Sequence, residues 1–114
     1  MMKNIRNAIW KSCIHDLKIY ASLLDVNCYF FRDNTGYEID LIMEFNDGTW
    51  SAFEIKLASE RNIEKAIKDL KNIKNKVVFE KIDKCRGLFV ITSGNKSYEK
   101  DGVKIISLYY LFFK

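Results

Sequence analysis

A mixed α/β (α+β) fold, a central mixed sheet flanked by helices, is what this sequence predicts, and three observations predict it. Two long segments carry apolar side chains at steps of three and four residues, the spacing of a helix with one buried face. Between and after them lie short runs that either alternate or are wholly apolar, as strands do. Turn formers punctuate those runs at Asp33-Asn34-Thr35-Gly36, Asn46-Asp47-Gly48 and Asp101-Gly102.

The first helical segment spans residues 4 to 25, with Ile5, Ile9, Cys13, Leu17, Tyr20 and Leu24 on one face. Asn27 to Arg32, rich in aromatics and closed by the turn at Asp33, is expected as a strand. Tyr37 to Phe45 alternates, setting Tyr37, Ile39, Leu41, Met43 and Phe45 against Glu38, Asp40, Ile42 and Glu44. Trp50 to Leu57 alternates as well, with Ser51, Phe53, Ile55 and Leu57 opposed to Trp50, Ala52, Glu54 and Lys56. The loop between these two strands decides their register. A three-residue loop with Gly48 in the left-handed position pairs Phe45 with Thr49. Counting outward, Glu44 then faces Trp50, Ile42 faces Ala52, Asp40 faces Glu54 and Glu38 faces Lys56, whereas a loop one residue shorter or longer turns Asp40 and Glu54 to opposite faces.

Ala58-Ser59-Glu60 supplies a helix cap and an acidic first turn, after which Ile63, Ala66, Ile67, Leu70, Ile73 and Val77 form an apolar stripe. Arg61, Lys65, Lys68, Lys71 and Lys76 fall on the opposite side of this second helix, with Glu64 among them. Gly87 to Gly94 reads as a central strand covered on both faces, and Val103 to Ser107 as another. The closing LYYLFFK is short and apolar, a terminal strand extension or a helical turn docked on the core.

At 114 residues the chain is expected to form a single domain, 1–114, with one core. Eight Phe, six Tyr and two Trp supply apolar mass without disulfide or metal staples. Cys13, Cys28 and Cys85 are widely spaced and lack any C-x-x-C pattern, so they read as buried thiols in a reducing compartment. No window approaches a membrane span and the N-terminus lacks the apolar stretch of a signal peptide, so a cytoplasmic location without a membrane partner is expected. The net charge of +4 is modest, but nine of the nineteen cationic residues lie between Arg61 and Arg86, which suits a polyanionic partner.

Chemistry concentrates on the hairpin. Two carboxylates placed opposite each other, Asp40 and Glu54, repel unless something offsets them. Lys56 offsets part of the repulsion and a divalent cation would offset more. Mg2+ or Mn2+ takes hard oxygen ligands, and Asp40, Glu54 and the backbone carbonyl of Ile55 make half of such a shell. The ion would activate a water against phosphorus, with Lys56 orienting or deprotonating that water or holding the scissile phosphate. By spacing alone, E-x-K also reads as a solvated strand face. Glu38 reads either as a third carboxylate or as a cross-strand partner of Lys56. Arg32 reads as a phosphate contact or as turn support. The basic face of the second helix is a solvated surface or, through Arg61, Lys65 and Lys68, the wall of a nucleic-acid groove. His15 reads as structural.

An acidic residue on one strand and E-x-K on the next, between two helices, resembles the PD-(D/E)xK nuclease superfamily. That resemblance implies a restriction-endonuclease-like αβββαβ core, with Asp40, Glu54 and Lys56 at the motif positions and DNA phosphodiester hydrolysis as the activity. The stretch DLKIYASLLDVNCYFFRDNTGYEIDLIMEFNDGTWSAFEIKL, and further on FVITSG and DGVKIISL, resembles the C-terminal domain of unknown function of prokaryotic AAA-type ATPases. It implies an AAA-type ATPase or another protein as a partner, and as an alternative to catalysis a non-catalytic module that binds nucleic acid or protein. Residues 1 to 26 contain no Glu of the kind that similar domains commonly carry on the first helix; Trp10 and Lys11 occupy that neighbourhood. The chain also has no Gln and no phosphate loop of the G-x-x-x-x-G-K-[ST] type. Self-association through Tyr109, Tyr110, Phe112 and Phe113 is a further expectation.

Overall fold

The computed structural model describes residues 2–73, 76 and 84–112, with the side chains of residues 2–10, 13, 111 and 112 left aside. The expectations placed on Val77 and Phe113, and on the side chains of Ile5, Ile9, Trp10, Cys13 and Phe112, lie outside the described residues. In chain order the elements are α1 (Met2–Leu23), β1 (Asn27–Arg32), β2 (Glu38–Glu44), β3 (Trp50–Lys56), α2 (Glu60–Asn72), β4 (Cys85–Thr92), β5 (Tyr98–Lys100), β6 (Val103–Ser107) and a short α3 (Leu108–Phe112). They form the expected mixed sheet flanked by helices, with strand order β1-β2-β3-β4-β6-β5. The β1-β2 and β2-β3 pairs are antiparallel, β3-β4 and β4-β6 are parallel, and β5 closes the far edge antiparallel to β6.

The β2-β3 turn forms as its residues dictate. Phe45 N–H donates to Thr49 O at 2.8 Å, Gly48 N–H donates to Phe45 O at 3.0 Å, and Gly48 sits at φ +85°. Only a residue without a Cβ takes that conformation cheaply. The turn sets Glu44 opposite Trp50, Ile42 opposite Ala52 and Leu41 opposite Phe53. Ser59 caps α2 by accepting the Asn62 N–H at 3.1 Å, which satisfies one of the orphan donors of the first turn.

Two cores lie on the two faces of the sheet. On the α2 side Ala66, Ile67, Leu70 and Ile73 pack against Ile39, Trp50, Ala52, Leu88, Val90, Val103 and Ile105. On the α1 side Ile14 and Ala21 pack against Leu41, Met43, Ile55 and Ile91, with Leu108 of α3 at the margin.

Several sequence expectations need correction. Ile39 does not share a face with Leu41 and Met43: Tyr29 pairs with Ile42 while Phe31 pairs with Ile39, so β2 holds one extra residue at Asp40–Leu41. This β-bulge switches the phase of alternation and returns both Ile39 and Ile42 to the α2 side. Glu38 does not reach Lys56, because the β2-β3 ladder stops at Leu41 and Glu38 instead meets Arg32 of β1 at 3.2 Å. The strand expected from Gly87 begins at Cys85. Arg86 is tolerated there because its guanidinium lies over the Phe45 ring, 4.1 Å from the centroid, and meets Asp47 at 2.9 Å. Tyr98–Lys100 is a strand that the sequence reading missed, since its residues are all exposed; its signal is the two-residue Asp101-Gly102 turn, with φ of +55° and +80°. Cys28 and Cys85 are half-buried rather than buried.

Gly48→Ala tests the turn. The left-handed conformation costs a non-glycine residue roughly 1–2 kcal/mol, so the unfolding free energy is expected to fall by that amount and the urea midpoint with it, the slope m unchanged. A variant as stable as the parent would show that the turn does not need its left-handed residue.

Candidate functional site

Where the bulge interrupts β2, the main chains of β2 and β3 no longer pair, and side chains complete the hydrogen bonding. Asp40 N–H donates to Glu54 Oε1 at 2.9 Å, and Ile55 N–H donates to Asp40 Oδ2 at 2.8 Å. Each carboxylate thus accepts from the backbone of the opposite strand. The exchange satisfies two amides that a bulge would otherwise leave unpaired inside the sheet. Within an extended strand, a residue's N–H and C=O project to the same edge. The Ile55 carbonyl therefore faces the same gap as its N–H.

Glu54 projects on the α2 side of β3, following Trp50 and Ala52, and is only 2% exposed. Burial, and secondly the neighbouring charge of Asp40, push its carboxyl from the ordinary value near 4.5 up to about 7, while Lys56 pulls in the opposite direction. Lys56 Nζ stands 3.7 Å from Glu54 Oε2, half-buried. That separation is long for a charge-assisted hydrogen bond, although within the reach of an ion pair. Asp40, Glu54, Ile55 and Lys56 are therefore brought together as a group.

A second layer surrounds Glu54. Tyr37, at the entry to β2, donates its hydroxyl to the Asp69 carbonyl of α2. Burial first, then the charges of Asp69, Glu54 and Asp33, raise the Tyr37 phenol above its usual range, so it stays a donor. Asp33 accepts from the Thr35 and Tyr37 N–H groups and meets Lys76 Nζ at 2.8 Å. The Lys76 contact is the leading reason that its carboxyl lies well below the ordinary range. Nothing in the spacing of the sequence singled out Tyr37 and Asp69. The one available clue was Tyr37 itself, a large hydroxylated residue at the mouth of a strand whose core positions are otherwise aliphatic.

The residues expected to meet nucleic acid stand apart from the acidic group. Arg61, Lys65 and Lys68 lie exposed on the outer side of α2. Lys65 meets Asp69 at 3.0 Å, and Glu64 on the same helix meets Lys100 of β5 at 3.7 Å, so this surface is mixed in charge. Arg32 sits at the open edge of the sheet, bound to Glu38. His15 is exposed on α1.

Among the described residues there is no cluster of three or more His, Cys, Asp or Glu side chains able to hold a metal. Two carboxylates and a carbonyl suit a small hard cation that keeps several of its waters, and do not suit a closed all-protein cage. No helix is long and apolar enough to cross a membrane among the described residues.

Residues 11–111 match the family described as Domain of unknown function (DUF4143), and the chain belongs to that family. No curated protein and no solved structure matched it.

Glu54→Gln tests the electrostatics. Between pH 4.5 and about 7 folded Glu54 holds a proton that the unfolded chain has released, so stability is expected to fall as pH rises through that window and to level off above it. The total is on the order of 3 kcal/mol. Glutamine keeps the acceptor for Asp40 N–H and offers an N–H to the Asp40 carboxylate, so in EDTA the variant is expected to lose this slope and exceed the parent above pH 7. Parallel curves of unfolding free energy against pH for the two proteins would refute the assignment.

Proposed function

We propose that this domain is a metal-dependent nuclease of the PD-(D/E)xK type that hydrolyses DNA phosphodiester bonds. One observation carries the reading: a carboxylate that is almost wholly buried shares a gap between two strands with a second carboxylate, and among the described residues the ammonium beside them is that of Lys56, 3.7 Å from Glu54. Burying such a pair is unfavourable unless a cation or a proton compensates it. Of the two, a cation gives the arrangement a use.

In this reading Asp40 and Glu54 would hold Mg2+ or Mn2+, with the Ile55 carbonyl as a further hard oxygen donor. The bound ion would polarise a phosphoryl oxygen and acidify a water. Lys56, already directed at Glu54 Oε2, steadies that water or the scissile phosphate. Arg61, Lys65, Lys68 and Arg32 offer contacts to neighbouring phosphates, which would set the position of the strand without reading its sequence.

A second reading has its own observation. The outer side of α2 is mixed in charge, with Lys65 meeting Asp69 and Glu64 meeting Lys100 of β5. Such a surface also suits a non-catalytic module that docks protein, including an AAA-type ATPase. Titration with Mn2+ separates the two, because the binding module has no need of the ion.

The expected result is cleavage of DNA only with added Mg2+ or Mn2+, and a measurable heat of Mn2+ binding in the parent protein. Asp40→Asn and Glu54→Gln are expected to abolish both. Lys56→Met is expected to retain the heat of binding while losing about 100-fold or more of the rate. Cleavage that survives in Asp40→Asn would assign the activity elsewhere, and Mn2+ that binds neither parent nor variants would leave the second reading.

A further inference from the structure

On the α1 side of the sheet, a cleft of about 130 Å³ lies between α1 and the β1-β2 ribbon, lined by Ile14, Lys18, Cys28, Phe30, Asp40 and Leu41 together with Tyr29. It adjoins the proposed reaction site, since Asp40 belongs to both. Its walls divide sharply by chemistry. Ile14, Cys28 and Leu41 are apolar and at least partly buried, Phe30 is 55% exposed at the rim, and the Lys18 ammonium is in solvent. Lys18 lies close enough to Cys28 to offset part of the rise that burial imposes on that thiol, so its charge hangs over the cleft.

The size limits what fits. Pockets for drug-sized ligands begin near ~300 Å³, so this cleft accepts one flat ring and leaves the remainder of the ligand outside. A ring held between aliphatic walls, with an open aromatic face beside it and a cation at the mouth, has the features of a nucleobase whose phosphate stays near the surface. Phe30 supports this chemistry. It stands on β1, the edge strand of the sheet, where its face is accessible without displacing any neighbouring strand. Exposed aromatics next to cationic side chains are how single strands are gripped without reading sequence.

We infer that the cleft between α1 and the β1-β2 ribbon receives one unpaired nucleobase, stacked on Phe30, with Lys18 meeting the adjoining phosphate. The inference rests on the nucleic-acid part of the function proposed above and deepens it: the favoured substrate is a single strand or a frayed end, because a paired base enters only after unpairing, which costs binding energy. Asp40 is part of the cleft wall, so a base seated there lies beside the acidic gap.

The test is binding of a labelled short oligonucleotide by fluorescence anisotropy in EDTA, where no cleavage interferes, compared with the duplex of the same sequence. The single strand is expected to bind at least about 10-fold more tightly, and Phe30→Ala to erase most of that preference, as loss of a stacked base does. Phe30→Trp is expected to preserve it. Lys18→Met is expected to reduce the slope of log affinity against log salt by about one phosphate contact. Phe30 is exposed, and circular dichroism melting of each variant checks that the fold is intact. Equal binding of single strand and duplex by the parent, or a folded Phe30→Ala that binds as the parent does, would overturn the inference. Metal-dependent cleavage lost in Asp40→Asn alongside unchanged binding in Phe30→Ala would leave the hydrolase standing and remove the base site. The opposite pattern would keep the base site and remove the hydrolase.

Discussion

The reciprocal bonding of Asp40 and Glu54 to each other's strand is the constraint on which the rest depends. A bulge in the second strand of a three-strand meander would normally leave main-chain amides without partners inside the sheet. Here the side chains at the bulge and opposite it substitute for the missing ladder bonds. The substitution brings acidity into a place where packing alone would favour valine. Both side chains therefore have a structural role in the sheet, whatever chemistry they perform. The same bulge redirects the alternation of β2, so that Ile39 joins Ile42 under α2 while Leu41 and Met43 reach α1. One inserted residue thus serves both cores and opens the gap between them.

Electrostatics sharpen the argument. A buried carboxyl pushed up to about 7 carries a proton for much of the time near neutral pH. In that state it repels Asp40 less and attracts Lys56 less, and the 3.7 Å separation from Lys56 is consistent with a pair that is not tightly closed. A divalent ion would reverse the order of these effects by favouring the ionised form. Proton and cation would therefore compete for the same oxygens, and stability and metal affinity would be linked through Glu54 if the proposed ion binds. Tyr37 stands near this group on the α2 side with its own hydroxyl committed to the Asp69 carbonyl.

Much of the architecture was legible in the residues. The periodicity of α2 and the punctuation of the turns place most elements, and the Asn46-Asp47-Gly48 loop defines the hairpin register from Phe45 to Leu41 because Gly48 alone suits the left-handed position. What was not legible has a common cause. Leu41, Ile42 and Met43 are consecutive apolar residues, so their pattern fits either phase of alternation, and only tertiary packing on two faces selects the bulge. Glu38 was assigned to Lys56 by extending a ladder that the bulge ends. Tyr98–Lys100 has no apolar member facing a core, so its strand depends on pairing with β6 through the turn at Asp101-Gly102. At the site, Asp40, Glu54 and Lys56 could be proposed from spacing, whereas Tyr37, Asp69, Phe30 and Lys18 come from distant segments and meet only in the folded chain.

The distribution of charge bears on what kind of nucleic acid such a domain would hold. A duplex groove requires a broad and largely unpaired field of cations, since its affinity comes from the phosphates neutralised. The outer side of α2 does not offer that field: its lysines alternate with Glu60, Glu64 and Asp69, and the nearest cation of β5 already faces Glu64. The α1 side offers fewer charges but an aromatic face and a small apolar recess beside Asp40. Affinity on that side would come from burying a ring, which a single strand supplies at little cost and a duplex supplies only after unpairing. The two faces therefore favour different roles, with the recess suited to a free base and the mixed-charge helix suited to protein contact or to a few backbone phosphates. A domain with a modest net charge of +4 would in this way select strandedness, if it takes nucleic acid as proposed, without binding every polyanion it meets.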